Sequence, residues 1–182
     1  PFGLDGDFSH AALVQRLNSD LANDLGNLLS RSTAMAVKYF DGVLPAPAEL
    51  TDIDLALKTR TEEMVKTVET HMNDLAFSKA LQAIWEVISA GNKYIDECAP
   101  WTLAKDPANK DRLATVMYCL LESQRIVHII LSAFIPSTSE KALCSLGYVG
   151  AVSEDGLVWG GLTAGTKIVK AEALFPRYEE KA

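Results

Sequence analysis

Four side chains in this sequence have the types and spacing for recognition chemistry. In the run Asn18-Ser19-Asp20-Leu21-Ala22-Asn23-Asp24-Leu25-Gly26-Asn27-Leu28-Leu29-Ser30-Arg31, the residues Asn23, Asn27 and Arg31 stand four apart. On a helix they form one line along one face. An asparagine amide offers both a donor and an acceptor, and arginine offers a planar fork of five donors. That set suits the edges of nucleobases or phosphates. The fourth is Trp101, which follows Pro100 at the end of Asn92-Lys93-Tyr94-Ile95-Asp96-Glu97-Cys98-Ala99. Proline disfavours helical geometry in the residue before it and cannot donate a ladder hydrogen bond. The ring is therefore expected at a helix end, either as a plug of the core or as a platform for another flat ring. The plainer readings, a solvated polar stripe and a loop plug, stay open at this point. Stacking of a base on an exposed ring is worth about 1–3 kcal/mol.

Signatures of catalysis are missing. There is no phosphate loop of the P-loop or dinucleotide type, and the glycines Gly160, Gly161 and Gly165 have the wrong spacing for one. No G-x-S-x-G elbow is present. His10, His71 and His128 fall on three different expected helices, without metal-ligand spacing. Each reads as a surface or satisfied core histidine. Cys98, Cys119 and Cys144 are far apart and lack a C-x-x-C pair, so neither zinc nor a disulfide framework is expected. A reduced, cytosolic setting is the simplest reading of them. No catalytic residue and no metal ligand is assigned.

The elements that must position these side chains are helical. The chain has 182 residues, is 48% hydrophobic and 23% charged, and carries a formal net charge of -7. That composition fits one ordinary globular domain with a real core. No uninterrupted apolar run is long enough for a bilayer, and no signal peptide is visible. The acidity is concentrated between Glu49 and Asp74, so other faces remain free to meet an anion. Because the chain begins at Pro1, it reads as a fragment of something larger or as a processed product.

Apolar residues at Leu13, Leu17, Leu21, Leu25, Leu28 and Leu29 predict a first helix to about Phe40, capped by Ser9 or Asp7 and preceded by a glycine-rich loop from Phe2 to Asp7. Gly26 in its middle implies close approach of another element. Thr51 or Asp52 caps a second helix to about Met72. A third carries Phe77 to Ile95, with Trp85 in the core. A fourth spans roughly Lys110 to Phe134 after a loop at 106–109, and a fifth starts at Pro136. From Tyr148 glycines interrupt short apolar pieces, which predicts an extended or hairpin-like tail held down by Trp159. The expected fold is all-α: a bundle of about five helices over residues 1–147, with an irregular tail, 148–182, packing back on it as part of the same domain.

The opening Phe2-Gly3-Leu4-Asp5-Gly6-Asp7-Phe8-Ser9, the helix Asn18 to Arg31, the stretch Asn92 to Lys105 and the end Leu174-Phe175-Pro176-Arg177 together resemble the C-terminal half of methionyl-tRNA synthetases, class I aminoacyl-tRNA synthetases. The resemblance covers about Phe2 to Glu179. It implies a helical-bundle domain that reads the CAU anticodon. The family's recognition positions fall on Asn27, Arg31 and Trp101, with the tryptophan stacking on a splayed base. Pro100 would orient the ring, and Asn23 is a neighbour. Single-stranded RNA is generally read in this way.

The family's catalytic H-I-G-H-like and K-M-S-K-S-like motifs and its zinc-knuckle cysteines are absent from this chain. By resemblance, then, the chain is a part of methionine–tRNA ligase that supplies selectivity and not chemistry. ATP and methionine would bind a catalytic domain outside it, and no cofactor is expected within it. The expected partners are the anticodon loop of tRNA(Met) and that catalytic domain, in the cytoplasm, with no membrane and no DNA. The alternatives are an anticodon domain of another class I synthetase and a helical protein-binding adaptor. The adaptor requires a large apolar patch and a buried Trp101.

Overall fold

The computed structural model describes residues 9–178; the loop from Phe2 to Asp7 and the candidate cap Asp7 lie outside them. One long helical rod opens the fold. It consists of α1 (His10–Arg16), a π-helical stretch (Leu17–Gly26) and α2 (Asn27–Phe40). Ser9 caps it, its Oγ accepting from the amide of Ala12 at 3.3 Å. The rod ends at Asp41 and Gly42, both at positive φ. The apolar pattern of this rod is only partly a core face. Leu25, Leu28 and Leu29 are buried, whereas Leu13 is 52% exposed. The seam meets the bundle only from the π stretch onward.

Four further helices complete the bundle: α3 (Asp52–Asn73), α4 (Phe77–Cys98), α6 (Lys110–Leu131) and α7 (Pro136–Ser145), with a short α5 (Pro100–Leu103) between α4 and α6. Thr51 and Asp54 form a capping box at the start of α3. The expected loop at 106–109 contains a 3-10 turn, Pro107–Asn109, started by the Asp106 carboxylate on the amide of Ala108. α6 is the central pillar, packing against α2, α3, α4, α5 and α7. The segment Pro107–Leu131 is long and apolar enough to cross a bilayer by length and composition, yet its most apolar 18-residue stretch is entirely buried inside the bundle. Its hydropathy belongs to the core.

The tail is irregular. It contains a 3-10 turn, Glu154–Leu157, and an isolated antiparallel bridge between Val43 and Lys167, but no hairpin among the described residues. It is fastened along its length. Leu44 donates to Thr166 O and Ile168 donates to Gly42 O, while Val169 donates to Ser145 O. The amide of Ala171 reaches Thr33 Oγ1 at 3.0 Å. The main clamp is on α6. Glu122 and Arg125 are both fully buried and paired at 2.6 Å. The Glu122 carboxylate accepts from the amides of Gly160, Gly161 and Leu162 at 2.7, 2.9 and 3.0 Å. Arg125 donates to the carbonyls of Gly156 and Val158 and lies over the Tyr148 ring. A Cβ at Gly161 would overlap the Arg125 guanidinium, so glycine is required there. The Gly160-Gly161 pair thus does cradle an anion, and the anion is the protein's own carboxylate. Trp159 packs half-buried on the core, as expected of it.

Candidate nucleic-acid interface

The π winding changes the expected line of polar residues. Asn27 donates back to Ala22 O, five residues earlier, as well as to Asp24 O. π turns take more residues than α turns, which alters the angular step from Asn23 to Asn27, yet both asparagines still face one cleft. The π stretch and the tail form two walls of this cleft of about 280 Å³. Asn23, Gly26, Asn27 and Ser30 line it on one side, and Leu174, Phe175 and Arg177 on the other. Asn23 and Asn27 are both exposed. Gly26 is where the elements approach: its added Cβ would stand 3.1 Å from Leu21 O and 3.7 Å from the Phe175 ring. The close neighbour that its glycine implied is therefore the tail, together with a carbonyl of its own π turn. The tail's end is clasped to the rod. Asn18 bonds both the amide and the carbonyl of Tyr178, at 2.8 and 3.0 Å, and Arg177 donates to Asn23 Oδ1 at 2.6 Å.

Arg31 leaves that cleft for the neighbouring helix. Its Nη2 donates to Asp96 on α4 at 3.1 Å, and both side chains remain partly exposed. Asn92, one turn earlier on α4, donates to Asp24 O in the π stretch at 3.3 Å. The rod and the last turns of α4 therefore run side by side. α4 then ends on Ala99, in left-handed geometry at φ 44° and ψ 61°. For a residue with a Cβ this costs roughly 1–2 kcal/mol. The chain turns at once into α5, with Pro100 at its first position and Trp101 next. Trp101 is 42% exposed. Pro100 is buried. Proline does not simply stop a helix here: it begins a new one, and it bears on the ring by fixing its backbone, not by offering a surface. Lys105, just beyond α5, is exposed.

Two residues of this surface had no signal in the spacing of the first helix: Asp96, the partner of Arg31, and Arg177, the partner of Asn23. Arg177 does end the Leu174-Phe175-Pro176-Arg177 motif, and only the fold brings that motif to the cleft. Trp85 packs against the core as expected, though from its edge. It is half-buried and lines an open hollow with Leu21, Leu81 and Gln82, and its indole Nε1 is buried without a partner. The histidines also differ from each other. His10 is exposed, while His128 on α6 is fully buried with neither ring nitrogen paired, and burial pushes its pKa down to about 4. His128 is thus a core histidine, but not one satisfied by the protein. Burial raises the Cys119 thiol to about 12, and all three cysteines are free. Among the described residues no three His, Cys, Asp or Glu side chains gather as a metal site would require.

Exposed amides and arginines thus gather where the rod meets α4 and the tail, and the end of α4 leads from Asp96 to the exposed indole of Trp101 on α5. A family model described as the anticodon binding domain of methionyl tRNA ligase matches residues 44–182. Methionine–tRNA ligase of Caldanaerobacter subterraneus subsp. tengcongensis is 48% identical over 98% of this chain and 28% of its own length. The Bacillus subtilis enzyme is 47% identical over 98% of this chain and 27% of its own length. The chain thus spans little more than a quarter of these curated relatives. The crystal structure of the apo form of Mycobacterium tuberculosis methionyl-tRNA synthetase superposes over 100% of this chain and 37% of that one, with a TM-score of 0.94 at 37% identity.

Proposed function

The chain belongs to the methionyl-tRNA ligase anticodon-binding family, and from that membership we propose that it reads the CAU anticodon loop of a methionine tRNA. In this reading Trp101 stacks on the wobble cytosine. Asn27 and Arg31 address base edges, Asn23 borders them from the cleft, and Pro100 orients the ring by fixing the backbone before it. The observation that carries the reading is the exposure of Trp101 on a helix end beside the α4 turn that Arg31 grips. A protein-binding adaptor called for that ring to be buried. Stacking supplies affinity with little dependence on sequence, and edge contacts supply discrimination.

Its contribution to the whole enzyme is selectivity. The ATP-dependent joining of methionine to tRNA, with ATP and methionine as small-molecule ligands, falls to a catalytic domain beyond this chain, acting in the cytoplasm. Titration with an RNA stem-loop carrying CAU tests the reading. Trp101→Ala weakens binding by about 1–3 kcal/mol, the worth of one stacked base. Arg31→Ala loses more discrimination against altered anticodons than Lys105→Ala, whose loss is uniform across loops. Equal binding by Trp101→Ala and the parent chain would sink the assignment.

A further inference from the structure

The left-handed cap that carries Trp101 sits on a polar junction of three helix ends. Asp54, in the first turn of α3, has a fully buried side chain. Its carboxylate accepts from four donors. They are the phenol of Tyr94 and the guanidinium of Arg112, together with the amide and hydroxyl of Thr51, each at 2.8 Å. Arg112 belongs to the first turn of α6, and its other nitrogen donates to Cys98 Sγ at 3.6 Å. Tyr94 and Cys98 stand one turn apart at the C-terminal end of α4, and Ala99 and Pro100 follow directly. α5 in turn packs on α6. Burial alone raises the Asp54 carboxyl, and the bonds from Arg112, Tyr94 and Thr51 outweigh it, holding it below the usual carboxylate range.

Two observations meet here. A non-glycine residue in the left-handed region persists only where its surroundings over-determine it. The bonds that tie the preceding turn to α3 and α6, from Tyr94 and Arg112, converge on one carboxylate, while Arg31 holds Asp96 from the rod. Apolar side chains of the same volume would hold three helix ends together at least as well as a buried ion pair. What a saturated carboxylate adds is direction. It fixes the rotation of the last α4 turn about its axis, and hence where α5 points the indole.

We propose that Asp54, Tyr94 and Arg112 are positioning residues for Trp101: their junction sets the pose of the ring before RNA arrives. The inference rests on Trp101 being a base platform. None of the three need touch RNA. Their part is preorganisation, which lowers the cost of ordering the ring on binding.

A double-mutant cycle with the CAU stem-loop tests this, paired with acrylamide quenching of Trp101 in the free chain with Trp85→Phe and Trp159→Phe in place. Arg112→Met weakens binding roughly three- to tenfold in the parent background and adds almost nothing once Trp101→Ala is present, because the two act through the same ring. Arg112→Lys recovers only part of the loss, since it keeps the charge without the fork. Tyr94→Phe removes one hydroxyl, preserves the packing and moves affinity in the same direction by less. In the free chain, Arg112→Met and Tyr94→Phe both change the quenching of Trp101. Multiplicative losses in the cycle would overturn the positioning role. So would quenching that neither variant changes, whatever the binding data give. Should Trp101→Ala itself leave binding intact, the platform reading fails, and the quenching arm still reports separately on the junction.

Discussion

The end of α6 beneath Trp101 and the middle of α6 beneath the tail each rest on an acid–arginine pair, and the two pairs are built differently. At the ring end Asp54 is buried but Arg112 keeps part of its side chain in water. Asp54 meets its partners from helix termini and a capping box. At the tail, Glu122 and Arg125 lie within one turn of α6 with no exposure at all, and the tail groups that they hydrogen-bond all come from more than thirty residues downstream. The first pair aims a turn of helix; the second seals a strap of chain against the core. A recognition surface with one wall of helix and one wall of irregular chain needs both. Orientation is what matters for the ring. For the tail, which has no ladder of its own, attachment is what matters.

That contrast predicts unequal effects, the largest at the sealed pair. Glu122→Ala strands a fully buried guanidinium and three backbone amides, and is expected to cost about 3–5 kcal/mol of stability. Urea unfolding measures the loss directly, and limited proteolysis should find its first new cuts between residues 150 and 170. Cuts confined to α4 or α5 would contradict the assignment of the strap to Glu122.

Acid should separate the two ends next. His128 lies three residues beyond Arg125 on the tail half of α6, and burial lowers its pKa from 6.5 to about 4. The unfolded chain therefore binds the proton more readily than the native one. Stability is full above pH 6.5 and declines as pH falls from there to about 4, by about 3 kcal/mol in all, from the free-energy worth of each pKa unit. Asp54 behaves in the opposite part of the scale. Its folded pKa is below 3.8, so its contribution holds throughout that window and is lost only on further acidification. Urea midpoints followed down the window should fall for the parent chain and stay nearly level for His128→Phe. A parallel fall in both would remove His128 from the account.

The smallest effect is expected where tail and rod meet in water. The Arg177 bond to Asn23 is exposed at both ends, so Asn23→Ala should change stability by less than about 0.5 kcal/mol. It should weaken CAU binding less than Trp101→Ala does. A larger loss than that of Trp101→Ala would move the centre of recognition from the ring to the cleft.

What was legible in the sequence divides along the same line. Helices announced themselves by apolar period and by caps: Ser9 and Thr51 were readable because a helix start needs a side-chain acceptor within three residues. Trp101 was readable as a helix-end ring because Pro100 restricts only its near neighbours. The π winding from Leu17 to Gly26 was not readable, since the residues themselves are ordinary helix formers. The glycine gave the one hint, and only the tail, with Phe175 close over it, gives that hint a meaning. No local pattern marks Glu122, because its partners at 160–162 are close only after folding. Nor does any local pattern mark Asp54, which lies just past the expected caps Thr51 and Asp52, as the centre of a junction. Local rules named each side chain's first bond and were silent about the long-range ones.

The central claim is that the indole of Trp101 is a platform for a base. It is tested most directly by the emission of Trp101 in the chain bearing Trp85→Phe and Trp159→Phe, titrated with the CAU stem-loop and with the same stem-loop lacking the wobble base. Stacking predicts strong quenching by the first RNA and little by the second, with the difference in affinity matching the cost of Trp101→Ala. Equal quenching by both RNAs, or none by either, would contradict it.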